Sequence, residues 1–426
     1  MTDPEPAAAL QRAAGFDEAH LLGVDAPPMD LARSEIPLPL RPDAALGVLD
    51  ISEYFADTSG GVRTYLLQKA RYVESRPEFR QILVLPGAHD AVADLQGVRC
   101  YRLHGPLIPL QRTYRFMLAT RSIARICKHE RPEIIEVGSA YTVPWLVNRA
   151  TAARDVPAVW FFHANLPRLV NPRGARGNFV RRLVGRAVSA YVRAISRTVR
   201  VTIASSDFVL DDLRRIGVER VAKVPLGVDL ELFHPSRALR RTHVRAQHGL
   251  PDGPLAIYVG RFSREKNVHV MLRGWQDVAS RTGATLVLVG MGPKEVRFRQ
   301  MAGTHVVFLP FQRDRAALAD LYAAADFCIT PGPNETFGLA ALEAMASGIP
   351  VLACDRGGVA ESVERSGAGL RYAADDAVAF AAAAMRMLEA DLPSLGRIGR
   401  TYVETNHDWR MVFDRLFDVY RAVLDG

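Results

Sequence analysis

TPGPNETFGLAALEAMASGIPV, residues 330–351, reads as the end of a strand, a Pro/Gly loop, a helix and the start of the next strand. The helix is expected to begin near residues 336–338. Glu335 falls at the tip of the loop. Glu343 follows eight residues later, a little over two turns of about 3.6 residues each, so both carboxylates can face one side. The amides around Phe337, Gly338 and Leu339 form an anion site that suits a diphosphate, and Gly338 allows close backbone approach. The plain alternative is a helix-start acid and a solvated glutamate. Against it, the tail from Met345 to Val351 is small and apolar and holds the helix against the following strand, which a surface helix would not need.

The same alternation extends outward. Short apolar runs of buried-strand type occur at 46–51, 81–85, 98–103, 133–137, 158–163 and 201–204, with helical intervals such as 63–74, 112–128 and 178–197. After a polar, Arg- and His-rich stretch at 233–247 the pattern restarts, with strands at 255–259, 285–289, 306–309, 327–330 and 351–353. Such alternation implies βαβ units and mainly parallel sheets. The expected fold class is α/β, with two doubly wound Rossmann-like domains facing across a cleft. The expected boundaries are a loosely ordered extension over 1–44, a first domain over 45–232, a linker over 233–250 and a second domain over 251–407. The segment 408–426, with Trp409, Val412, Phe413, Leu416, Phe417 and Tyr420 at helical spacing, is expected to cross the domain junction. Ligands of such sheets bind outside the carboxyl ends of the strands.

At 426 residues the chain exceeds what one core usually holds, and its 49% hydrophobic and 23% charged residues are ordinary for globular proteins. No apolar run approaches the roughly 20 residues of a membrane-spanning helix. Residues 1–6 are acidic and Pro-rich, unlike a signal peptide. Cys100, Cys127, Cys328 and Cys354 lack ligand spacing and read as reduced core residues of a cytoplasmic protein. No Asp-x-Asp motif or His/Cys/carboxylate cluster points to a metal. The charge is uneven: residues 101–200 hold 18 Lys and Arg against 4 Asp and Glu, whereas the whole chain carries +8. That asymmetry points to an anionic partner.

Three more motifs fall at strand ends. In YVGRFSREKN, residues 258–267, Arg261 and Lys266 flank a loop where two cations could clamp a pyrophosphate. Gly60 and Gly61 open a helix after the first strand without GxGxxG spacing, so a dinucleotide site is not expected. His163 ends the run Trp160-Phe161-Phe162-His163, where a structural role is the plain alternative.

The segment around Glu335 and Glu343 resembles the E-x7-E signature of family 4 retaining glycosyltransferases of the GT-B fold. That resemblance implies that Glu335 holds sugar hydroxyls and Glu343 the ribose. It also implies that Arg261 and Lys266, matching a G-R-x4-K-G element with Asn267 in place of Gly, bind donor phosphates. Gly60 and Gly61 match the family's Gly-Gly loop, which implies a place near the donor phosphates and acceptor, and Pro225-Leu226-Gly227-Val228-Asp229 its turn before the linker. His163 matches a His that contacts the transferred sugar, although Ala164-Asn165 stands where an Asp often follows. The expected activity is transfer of a hexose from a UDP- or GDP-sugar to a lipid or glycan acceptor, with retention and without a metal or other cofactor. A nucleotide-sugar epimerase of the same fold and a transferase with a soluble acceptor are the alternatives. Loops near 104–115 and 164–178 are expected to select the acceptor.

Within 178–200, Arg182, Arg186, Arg193, Arg197 and Arg200 fall on one helical face, while Val180, Leu183, Val184, Ala187, Val188, Tyr191, Ala194 and Ile195 fill another. Either a core-packed helix with a solvated basic face results, or a surface for anionic phospholipid or a phosphorylated lipid acceptor. The stripe lacks interleaved aromatics, so nucleic acid is not expected as a partner. The expected localisation is cytoplasmic, peripheral on the inner face of the membrane.

Overall fold

The computed structural model describes residues 21–22, 26–31, 33–56, 60–109, 111–170 and 179–426. Its strands in chain order are β1 (Leu46–Ile51), β2 (Phe79–Gly87), β3 (Ala91–Leu95), β4 (Val98–His104), β5 (Leu107–Ile108), β6 (Gln111–Arg115), β7 (Ile134–Val137), β8 (Ala158–Phe161), β9 (Val201–Ala204) and β10 (Val221–Lys223). In the second half they are β11 (Leu255–Val259), β12 (Thr285–Val289), β13 (Val306–Leu309), β14 (Phe327–Thr330), β15 (Val351–Cys354) and β16 (Gly369–Tyr372). Among the described residues, one sheet runs β10-β9-β8-β7-β1-β2-β4-β3 and another β13-β12-β11-β14-β15-β16. All pairs are parallel except the antiparallel pairing of β3 with β4 and of β5 with β6. Helices cover both faces of each sheet, which is why β1, β2, β7, β12 and β14 are buried along their whole length.

Three departures from the expectations have physical causes. First, the stretch 112–128 is not one helix: it holds β6 and then the helix Thr120–Glu130, so a short antiparallel ribbon precedes the helix. Second, residues 233–250 are no free linker. They form a 3₁₀ turn, Pro235–Arg240, and a helix, Arg241–Gln247, bound to the second half by their arginines. Arg237 and Arg240 bond Asp320 at 2.6 and 2.7 Å, and Arg241 bonds Asp326 at 2.6 Å. Third, part of the extension is packed, for Leu31 and Ile36 are buried and Arg99 donates to Pro37 O and Leu38 O. Residues 1–20 lie outside the described residues.

The chain returns to its first half at the end. The helix Leu392–Asn406 packs on the helix Leu339–Ala346, whereas Trp409–Asp425 packs on Gly61–Glu74. At the crossing, Val228 N donates to His407 O at 2.8 Å, and a Cβ on Gly227 would lie 2.6 Å from the Trp409 ring. Beyond it, Phe413 and Phe417 sit against Tyr72. The helix also closes a buried ionic cluster. Lys69 Nζ contacts Asp50 Oδ1 and the Tyr420 hydroxyl at 2.7 Å each, and Tyr420 and Tyr65 donate to Glu136. Burial pushes the Glu136 carboxyl up to about 7, even though Lys69 opposes the shift.

Candidate functional site

A cleft of about 880 Å³ lies between the carboxyl ends of the two sheets. On the second-half side, β11 ends in Gly260 and Arg261, and Lys266 follows in a 3₁₀ turn. The turn closes at Asn267 in the left-handed region, φ 58°, the conformation for which Asn substitutes for Gly. From the crossover after β14, the neighbour of β11 in the sheet, come Glu335, Phe337, Gly338 and Leu339, with Glu343 one helical turn deeper.

The helix behind this loop starts later than the pattern implies, at Leu339 rather than 336–338. Gly338 has φ 92°, and a Cβ there would fall 2.1 Å from Val359 Cγ2. The glycine thus breaks the chain direction before the helix, and Glu335 projects from a turn instead of a first helical turn. Glu335 pairs with Lys266. Glu343, buried, accepts from Arg315 at 2.6 Å through Oε1 and from the Tyr322 hydroxyl at 3.1 Å through Oε2.

Sequence reasoning missed Arg315 and Tyr322. Both stand on the helix Arg315–Ala324, capped by Asp314, in a crossover with no motif. The one available signal was an arginine just past the end of β13, where ligands approach such sheets.

The first half supplies the opposite wall. Gly60 and Gly61 line it at the start of the helix Gly61–Glu74; among the described residues a Cβ on Gly60 would meet nothing within 4 Å, and on Gly61 only Leu339 Cδ1 at 3.6 Å. The space beside both glycines is therefore open toward the cleft. Tyr114 of β6 also lines the cleft, so the ribbon at 107–115 reaches the site. Residues 171–178 of the other acceptor segment lie outside the described residues.

His163 lines the cleft just after β8, its ring stacked 4.3 Å from that of Phe161. Burial, reinforced by the charge of Lys69, pushes its pKa down to about 3, so the imidazole is neutral near pH 7. Among the described residues its buried Nε2 has no hydrogen-bond partner. Asn165 does not face a ligand: it is buried and donates to Asp212 at 2.8 Å beside Arg168.

The arginine stripe is not part of the cleft. Arg182, Arg186 and Arg197 are exposed, while Arg193 donates to Ile216 O at 3.0 Å. The apolar face expected to pack is split. Val192 and Ile195 are buried, but Phe179, Val180, Leu183 and Val184 are 70, 60, 55 and 42% exposed. The first half of the helix Phe179–Ser196 thus keeps apolar side chains exposed.

Profiles of known families cover most of the chain. One described as Glycosyltransferase Family 4 matches residues 59–232, and one described as Glycosyl transferases group 1 matches 253–390. The chain is 32% identical over 312 residues to GDP-mannose-dependent alpha-(1-6)-phosphatidylinositol dimannoside mannosyltransferase of Mycobacterium tuberculosis, spanning 72% of this chain and 78% of that protein. It is 31% identical over 330 residues to D-inositol 3-phosphate glycosyltransferase of Xylanimonas cellulosilytica, spanning 71 and 76%. Sucrose-phosphate synthase from Thermosynechococcus elongatus shares the fold, with a TM-score of 0.71 at 23% identity over 89% of this chain and 99% of that one. Fold, cleft and relatives define a GT-B glycosyltransferase that draws on a nucleotide-sugar. The chain belongs to glycosyltransferase family 4.

Proposed function

We propose that the enzyme moves mannose from GDP-mannose to an inositol-containing glycolipid, with retention of configuration and without a metal ion, at an anionic membrane surface on the cytoplasmic side. The convergence of Arg261, Lys266, Glu335 and Glu343 on one cleft carries this reading. The donor and acceptor in the name of the mycobacterial relative support the choice of substrates.

As the bond from the sugar C1 to the diphosphate breaks, its electron pair stays on the phosphate oxygen. Arg261, Lys266 and the amides opening the helix Leu339–Ala346 meet that charge, which is electrostatic catalysis. Their cations do what a divalent ion would otherwise do, and on this ground metal independence belongs to the proposal. Lys266 reaches the phosphate by leaving Glu335, which frees that carboxylate for sugar hydroxyls. Glu343 is fixed by Arg315 and Tyr322, and each of its oxygens keeps a lone pair for a ribose hydroxyl. Neutral His163, in the cleft wall, faces the sugar without adding charge.

The membrane part rests on Phe179, Val180, Leu183 and Val184 exposed beside Arg182 and Arg186, the composition of an interfacial helix. Among the described residues, no helix is long and apolar enough to cross a membrane.

A thermal-shift panel of GDP-mannose, UDP-glucose and ADP-glucose tests the donor. The cognate sugar at 100 times its Kd adds about 2.7 kcal/mol. Stabilisation by UDP-glucose alone refutes the GDP-mannose reading, and loss of transfer in EDTA refutes metal independence. The second reading, a soluble inositol phosphate acceptor, is favoured by the likeness to the Xylanimonas relative. Labelled mannose in the aqueous rather than the lipid phase would select it.

A further inference from the structure

The loop that carries Glu335 is held along its main chain by both halves of the molecule. Gly358 N, at the start of the helix Gly358–Ser366, donates to Glu335 O at 2.8 Å. One residue on, Thr336 O accepts from Ser206 Oγ at 2.7 Å and Ser205 Oγ at 3.4 Å. Thr336 Oγ1 donates to His163 O at 3.2 Å. Ser205, Ser206 and His163 all follow strands of the first sheet, so these bonds cross between the halves.

Ser206 is also the N-cap of the helix Asp207–Arg215, where its Oγ accepts from Val209 N at 3.3 Å. Two more amides of that helix start, Asp207 N and Phe208 N, donate to Glu361 Oε2 at 2.9 and 3.2 Å. Glu361 stands on the helix Gly358–Ser366, so a carboxylate of the second half caps a helix of the first. It satisfies two otherwise orphaned donors and sits at the positive end of the helix dipole. Arg365, one turn further along the same helix, pairs with Asp207, which Lys223 holds from the other side at 2.8 Å.

The helix start that Glu361 clamps is the one whose Ser206 grips Thr336. The two contacts share a rigid element, and releasing one loosens the other. Without them Thr336 keeps on the first-half side only its bond to His163 O and the longer one from Ser205, and Gly358 is left to hold the neighbouring Glu335. We infer that Glu361 and Ser206 are positioning residues that make the placement of Glu335 conditional on the engagement of the two halves. This inference rests on the reading of Glu335 as the sugar-holding carboxylate. Arg261, Lys266 and Glu343 stand wholly on the second half, so nucleotide binding does not need the clamp.

The test uses the full chain with Glu361→Ala, Ser206→Ala and the conservative Glu361→Gln. Amide hydrogen exchange follows segments 331–340 and 207–212, calorimetry gives GDP affinity, and kcat and KM are measured with GDP-mannose. In Glu361→Ala, exchange rises in both segments together by about tenfold. Its kcat falls by about tenfold or more while GDP affinity stays within about twofold. Ser206→Ala shows the same pattern, and Glu361→Gln, which keeps an oxygen acceptor, restores most of the protection. Faster exchange at 207–212 with 331–340 unchanged overturns the inference, as does a wild-type kcat or a loss of GDP affinity in step with kcat. A wild-type enzyme that ignores GDP-mannose refutes the proposed donor instead, and the exchange measurement still decides the clamp.

Discussion

Lys266 with Glu335 and Arg315 with Glu343 form two ion pairs in one cleft, and their burial differs. Glu343 is buried at 7% side-chain exposure, whereas Glu335 retains 22%. Glu335→Ala should therefore leave the melting temperature within a degree or two of wild type, since half-exposed pairs contribute about 0–1 kcal/mol. Transfer should nevertheless fall by about a hundredfold or more if the carboxylate holds the reacting sugar. Full activity in that variant would remove Glu335 from the site.

His163 gives a prediction of opposite kind. Its folded pKa of about 3 lies below the 6.5 of a free imidazole, so the unfolded chain binds more protons between those values. Its contribution to stability is whole above about pH 6.5 and declines as pH falls toward 3. His407, pushed down to about 4 by burial, acts in the same direction. Glu136 acts in the opposite one, because a carboxyl raised to about 7 contributes most at low pH and declines as pH rises through 7. His163→Gln should flatten the fall in denaturation midpoint between pH 6.5 and 5. An unchanged slope would show that the imidazole is not buried neutral. Gly338→Ala needs no titration: at φ 92°, with Val359 in the way, it should cost about 1–3 kcal/mol in denaturant unfolding.

At the scale of elements, the helix Phe179–Ser196 makes the clearest forecast. Arg182→Glu with Arg186→Glu should weaken co-sedimentation with vesicles rich in anionic phospholipid by about tenfold or more and lower the salt sensitivity of what remains. Stability should move by no more than about 0.5 kcal/mol, because both side chains are exposed. Equal binding of the variant to these vesicles would refute the membrane reading. Elements also show where sequence reasoning works. Buried parallel strands such as β1, β11, β12 and β14 appear as unbroken apolar runs, and their ends coincide with the observed ones within a residue or two. The ribbon of β5 and β6 carries no such run, since Gln-Arg-Thr-Tyr-Arg lacks the alternation of a strand. The Arg-rich stretch 233–250 read as a linker because the partners of its arginines, Asp320 and Asp326, lie some 80 residues away. Likewise the E-x7-E, Arg/Lys and Gly-Gly positions were legible because each is a local pattern. Arg315, Tyr322, Ser206 and Glu361 act through contacts between distant segments, which no local pattern encodes.

Across the whole molecule, the last helix holds the most consequential contacts. Phe417 is fully buried against Tyr72 and Phe79, and Phe417→Ala should cost about 3–5 kcal/mol. The loss should appear as earlier unfolding of the first sheet, read by hydrogen exchange in β1 and β2; uniform loosening of both sheets would contradict the assignment. Tyr420 adds a polar contribution, because Lys69 and Glu136 each lose a partner if it is removed. The same helix has a consequence for biosynthesis. Residues 409–425 leave the ribosome after every strand of both sheets, yet they complete the wall of the half that is made first. Until they emerge, Tyr72, Phe79 and the buried charge of Lys69 have no cover, and a nascent chain must be kept from aggregating through the synthesis of its entire second half. A stop codon just before Trp409 would thus damage the half of the protein that is made first.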